Sequence, residues 1–321
     1  MTSGTPGVPF QGQVMAVGGP ISPGSLDVID AHNHLWIEAV GGASPDSPRL
    51  TEYDAILSEL KEYAEAGGAA IVDCQPGGCG RNGTKLLQLS RESGVSVVAA
   101  TGFHRRTYYP ESWWMWEASS QAIARYFIDE VRAGLQETLE LPEPIKAGFI
   151  KCACESTVGD TPEAPLEAAA SAAAELGLCV EVHTEKGSDA EGILHFFVSR
   201  GVRAGQIVLC HMDKLPDFGL HRSLAQAGAC LEYDTFYRPK YAPEKNVWSL
   251  IETMVQNGLD HSIALATDMA EASMWRHLGD GPGLTGLVKE IRPRLEDMRL
   301  GTPAIQNLIG GNIGRRLSGT A

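Results

Sequence analysis

The sequence predicts an α/β protein built as a (β/α)8 TIM barrel, on three observations. Eight short apolar runs follow one another, most are separated by enough chain for a crossover helix, and no change of composition divides the 321 residues. Apolar strands alternating with helices indicate a parallel sheet covered on both faces, and eight such units favour closure over an open sheet. One barrel commonly reaches this length.

Taken in order, residues 1–23 are rich in Gly, Pro and Ser and read as an extended lead-in to a barrel domain over 24–321. Strands are expected at Leu26–Ala31, Ala69–Cys74, Val95–Ala100, Ala147–Cys152, Leu178–His183, Gln206–His211, Ala229–Tyr233 and Ser262–Thr267. An amphipathic stretch from Asp54 to Ala66 precedes the second strand. The Ala-rich run Ala164–Leu176 is the clearest helix, with Gly177 as its stop. The third crossover, His104 to Ile145, is long and opens with the aromatic cluster Tyr108–Trp116. Such a loop serves either as a binding element or as a packed rim.

A formal charge of −14 argues against a nucleic-acid partner, which selects for a basic footprint. A small-molecule partner is expected instead. No run approaches the roughly 18 apolar residues of a membrane span. No Lys or Arg stands near Met1, so a signal peptide is not expected. The seven cysteines are odd in number and lie mostly in apolar runs, which reads as buried thiols in a cytoplasmic protein. A homodimer is the base-rate assembly.

The chemistry lies in where ligand-type residues fall. His32-Asn-His34 follows the first strand, Lys151 sits near the end of the fourth, His183 ends the fifth, His211 ends the sixth, and Asp268 follows the eighth. Parallel barrel strands all end at one mouth, where active sites are built. Four of the nine histidines would therefore meet there with a terminal Asp. Lys151, in Ala-Gly-Phe-Ile-Lys-Cys, is expected against an apolar wall that disfavours its charge. A neutral amine there can take up carbon dioxide as a carbamate that bridges two ions. The alternative is an ion pair with Asp268, Glu155 or Glu181.

The order Asp-Ala-His32-Asn-His34, Lys-Ala-Gly-Phe-Ile-Lys151, Val-His183-Thr, Cys-His211-Met-Asp, Thr-Asp268 resembles the phosphotriesterase family of the amidohydrolase superfamily. Gly77-Gly-Cys-Gly-Arg-Asn82 and Gly310-Gly-Asn-Ile-Gly-Arg315 are similar to that family's glycine-rich turns. The resemblance implies two divalent ions. His32, His34 and Asp268 would hold the more buried one, and His183 and His211 the more exposed one. Carboxylated Lys151 and a hydroxide would bridge both, the hydroxide attacking the substrate and Asp268 accepting the proton. The ligand types suit zinc first, with manganese, cobalt or iron as alternatives.

Substrate choice is expected in the loops after the seventh and eighth strands. Tyr237, Arg238, Lys240 and Arg276, with Lys186 after the fifth strand, could clamp an anion. The contrary reading pairs them with nearby acids. A lactonase for a sugar-derived or anionic lactone, phosphorylated ones included, is the leading expectation. Hydrolysis of a phosphotriester or N-acyl compound at the same metals is the alternative. A mononuclear deaminase does not call for Lys151, and a protein that has lost catalysis would not keep every ligand.

Overall fold

The structure, a computed structural model, describes residue 10 and residues 12–321, so residues 1–9 and 11 of the expected lead-in lie outside the described residues. From Val14 onward the chain is more ordered than an extended lead-in. Two three-residue strands, β1 (Val14–Ala16) and β2 (Gly19–Ile21), pair as an antiparallel hairpin. Val14, Met15 and Ala16 are buried, and the Val17 N–H donates to Val97 O at 2.8 Å. That contact places the hairpin at the end of the barrel where the strands begin. Runs this short, broken by Gly and Pro, carry no readable alternation.

The barrel strands are β3 (Ile29–Asn33), β4 (Ala70–Asp73), β5 (Ser96–Gly102), β6 (Phe149–Ala153), β7 (Val180–His183), β8 (Ile207–Cys210), β9 (Cys230–Tyr233) and β10 (Ile263–Leu265). They pair in parallel in chain order from β3 to β10. Each overlaps an expected strand. The ring is nearly closed. Its seam, between β10 and β3, is held by the Asp268 N–H donating to His32 O at 3.0 Å. Asp30 reinforces the seam by accepting from the Thr267 N–H at 3.1 Å and from the Thr267 hydroxyl.

Seven crossover helices follow β3 to β9: α1 (Tyr53–Glu65), α2 (Gly83–Ser93), α3 (Ser120–Arg132), α4 (Glu163–Leu176), α5 (Ala190–Ser199), α6 (Phe218–Gln226) and α7 (Val247–Gln256). Shorter helical segments over 276–317 complete the outer layer. Helix α4 is the Ala-rich run, small enough to pack closely, and it stops at Gly177 in the left-handed conformation (φ 65°). The apolar core is double. Ile29, Val72, Val98, Phe149 and Val208 fill the barrel, whereas outward residues such as Ile71, Ile150 and Leu209 pack under the helices. Among the described residues, no helix is long and apolar enough to cross a membrane.

Candidate metal centre

The barrel delivers the expected ligands to one mouth by three local devices. In β3, Asp30 pairs with Ile71 but Asn33 with Asp73, so one extra residue bulges between them, where His32 stands. Asp73 then accepts the N–H groups of Leu35 (2.7 Å) and Gln75 (3.1 Å), fixing the chain just past His34. His211 and Asp268 both take left-handed backbone conformations (φ 63° and 46°). Left-handed backbone is uncommon outside glycine and concentrates at functional sites.

The ligands fall into two sets. The His32 and His34 Nε2 atoms each lie 3.9 Å from Asp268 Oδ1, and these three side chains can share one ion. Across the mouth, His211 Nε2 and His183 Nδ1 face each other at 2.9 Å. Two nitrogens bound to one tetrahedral ion at 2.0–2.1 Å stand about 3.4 Å apart, so a shift of roughly half an ångström would admit an ion. Asp268 stands beside the second set as well, its Oδ2 lying 3.9 Å from His211 Nδ1.

Three of the four rings are oriented by partners that spacing did not reveal. His32 Nδ1 meets Glu232 Oε1 at 2.8 Å, His34 Nδ1 meets Gln75 Oε1 at 2.7 Å, and His211 Nδ1 is hydrogen-bonded to Asp234. These contacts turn the Nε2 atoms toward the mouth, as partners of metal-bound histidines do. Burial is the first cause lowering the pKa of all four histidines, His34 to about 4. They are thus neutral, the form that binds a cation. Burial opposes ionisation of Asp268, but the Arg238 guanidinium holds its carboxyl below the ordinary value. The donor set fits divalent ions.

Lys151 departs from expectation in its surroundings. It stands on the floor of the site, fully buried, its Nζ 3.4 Å from His32 Nε2 and 3.5 Å from Cys210 Sγ. Burial opposes its charge, but the Cys210 and Cys74 thiols and the Glu181 and Glu232 carboxyls outweigh this and raise its pKa. The wall is acidic rather than apolar. Glu181 is one of the alternative partners the sequence offers Lys151, whereas Glu232 lies in a run that reads as an ordinary apolar strand and carries no such signal. His32, Glu181, Cys210 and Glu232 form a second group whose ligand atoms lie within 4.8 Å of one another.

The family model described as the Phosphotriesterase family matches residues 12–313. The chain belongs to the phosphotriesterase family. Within this family, which is part of the amidohydrolase superfamily, it is similar to a phospho-furanose lactonase of Mycoplasmopsis synoviae (strain 53). The two are 26% identical over 94% of this chain and 90% of that protein. It is 27% identical to an N-acetyltaurine hydrolase of Salmo salar, over 89% of this chain and 92% of that one. A lactonase from Listeria monocytogenes shares the fold with a TM-score of 0.87 at 23% identity, over 94% of this chain and 98% of that chain.

Against this phosphotriesterase-family frame, the residues expected to clamp an anion do not converge. Arg238 Nη2 donates to Asp268 O (2.6 Å) and Oδ2 (2.8 Å). Arg276 donates to Pro282 O (3.1 Å) and Thr285 Oγ1 (3.2 Å), and lies 3.7 Å from Glu62. The Tyr237 hydroxyl donates to Glu290 at 3.2 Å. Lys186 and Lys240 are exposed, Lys186 3.9 Å from Glu185 and Lys240 over the Tyr241 ring. Only Arg238 touches the ligand cluster.

A residue the sequence reading missed stands nearer. His104, buried after β5, places its ring 6.1 Å from that of His34 and 5.6 Å from that of His183. Its Nδ1 accepts the Arg105 N–H at 2.7 Å. In the neutral ring the proton is then on Nε2. The one available signal was its place just past the third expected strand. The aromatics beyond it pack on one another, Tyr109 against Trp113 and Trp116 at ring separations of 5.5 and 5.2 Å, while Tyr108 lines the mouth. The long crossover is a packed rim that lends His104 and Tyr108 to the site.

Proposed function

We propose that this chain is a binuclear metal-dependent hydrolase and that its substrates are lactones. The observation that carries the reading is the pair of ligand sets at one mouth, His32/His34/Asp268 and His183/His211, with Asp268 beside both. Lys151 lies below the first set, where a carbamate on its nitrogen would supply oxygens for both ions once its proton has left. When bound, two such ions lower the pKa of a water they share and polarise the substrate oxygen. Asp268, its Oδ2 held by Arg238, would take up a proton and return it to the leaving oxygen. Zinc is the metal proposed first, and the buried, unpaired thiols support a reducing cytoplasm.

The lactonase relatives of the family support a ring ester as the substrate. The test is metal depletion, reconstitution with zinc, manganese, cobalt or iron, and assay of a lactone panel. About two ions per chain and turnover of at least one lactone are expected. A fully metallated protein inert to every lactone would sink the reading. The N-acetyltaurine hydrolases among the relatives favour one second reading, amide hydrolysis at the same centre. N-acyl amino acids and a chromogenic phosphotriester assayed beside the lactones separate these.

A further inference from the structure

His183 differs from the other three histidines of the ligand sets. It turns Nδ1 rather than Nε2 toward its neighbour, and its Nε2 atom is buried without a hydrogen-bond partner. Glu185 Oε2 stands 3.9 Å from that nitrogen, beyond hydrogen-bond reach.

The hydrogen bonds along this edge explain the gap. His211 Nδ1 meets the Asp234 carboxylate, which accepts, so the proton of the neutral His211 ring lies on Nδ1 and its Nε2 is an acceptor. The 2.9 Å contact between His211 Nε2 and His183 Nδ1 then makes His183 the donor. Its proton is on Nδ1, and Nε2 is left with a bare lone pair. A lone pair and a carboxylate oxygen repel. An ion shared by His183 and His211 demands the opposite arrangement, with the Nδ1 lone pair free and the hydrogen on Nε2. In that form Nε2–H and Glu185 attract.

Glu185 is well held for such a task. The turn that carries it is fixed by the Thr184 hydroxyl, which donates to Cys210 O at 2.7 Å and accepts the Gly187 N–H at 3.0 Å. The Ser188 N–H donates to Glu185 O at 3.1 Å. Arg105 aims the carboxylate, its Nη1 lying 3.3 Å from the same Oε2 and its Nε donating to Glu155 at 3.1 Å. Residues following β5, β6 and β7 thus converge behind one ring.

We propose that Glu185 is the positioning residue of the His183/His211 ion site, and that His183 exchanges tautomer as this site fills. One proton leaves Nδ1 and one arrives on Nε2, so the ring stays neutral throughout. Closing the gap to Glu185 then fixes the ring with its Nδ1 lone pair toward the ion. The proposal rests on the binuclear reading above.

The experiment records NMR spectra of protein labelled with 15N in its histidine rings, metal-free and zinc-loaded, with His183→Gln identifying the signals. The hydrogen should be on Nδ1 in the metal-free protein and on Nε2 in the loaded one. Chelator competition supplies the second measurement. Glu185→Ala should weaken one of the two ions by about 10–100-fold and leave the other within about twofold. Glu185→Gln, whose amide oxygen still accepts, should lose less. The contact is absent without metal, so the Tm of metal-free Glu185→Ala should move by no more than about 2 °C. A hydrogen on the same nitrogen in both states, or equal destabilisation of the metal-free and loaded forms by Glu185→Ala, would overturn the proposal. Two ions held as tightly by Glu185→Ala as by the unaltered protein would overturn it alone. Uptake of fewer than two ions by the unaltered protein would sink the binuclear reading and this proposal with it.

Discussion

Arg238 spends one nitrogen on two oxygens of the same residue, the carbonyl and the Oδ2 of Asp268. It therefore fixes both the backbone and the side chain of the carboxylate that stands beside both ligand sets. Arg238→Gln should lower kcat by about 10–100-fold, the range typical for partners of metal ligands. KM and metal content should change little. A rise in KM with kcat preserved would show that Arg238 binds substrate instead. The residue scale also marks where the sequence was readable. His32, His34, His183, His211 and Asp268 could be found because residue type and strand-end position coincide. Glu232 and Gln75 could not, since their roles depend on which ring nitrogen they meet. Arg238 was found with a different task, because its carboxylate partner comes from another loop.

At the scale of elements, strand ends and turns carry the site, and two of them make sharp demands. Gly102, at the end of β5, has φ 112°, and a Cβ there would stand 1.8 Å from Lys151 O. Gly102→Ala should therefore destabilise the protein by more than about 3 kcal/mol, read as a shifted denaturant midpoint, and should displace Lys151 from the floor. Asp73 makes the second demand. Burial pushes its carboxyl up from 3.8 to about 7, against the N–H groups of Leu35 and Gln75. Its folded value lies above its unfolded one, so its contribution is complete below about 4 and is lost as pH rises through about 7. Relative to Asp73→Asn, the unaltered metal-free protein should lose on the order of a few kcal/mol between pH 4 and pH 8. A pH-independent difference in denaturation midpoint would refute this. The barrel strands were legible because each is a run of apolar residues long enough to register. The β1–β2 hairpin was not, because its meaning lies in the barrel end it covers.

On the scale of the whole molecule, closure and the proposed metal site use the same stretch of chain. Ions that bind the folded form alone stabilise it by about 2.7 kcal/mol at a hundredfold excess over Kd. Chelation should thus lower Tm by several degrees, and zinc should restore it. A Tm indifferent to chelation in a protein shown to have lost its ions would mean that the site is rigid without them. The single-barrel reading was legible at this scale because eight repeats of one pattern leave few other topologies. How the ring is fastened was not, since Asp30 and Thr267 are more than two hundred residues apart.

That fastening gives the molecule an unequal hoop. Elsewhere in the ring neighbouring strands share a ladder, but between the last and the first the staves are held by Asp268 to His32 and by Asp30 to Thr267. Two of those four residues, His32 and Asp268, are proposed metal ligands, so a cation bound at the mouth would act as a clasp on the join. Stripping it should let deuterium enter the amides of β3 and β10 well before those of β6 and β7, and reloading should shut the join again.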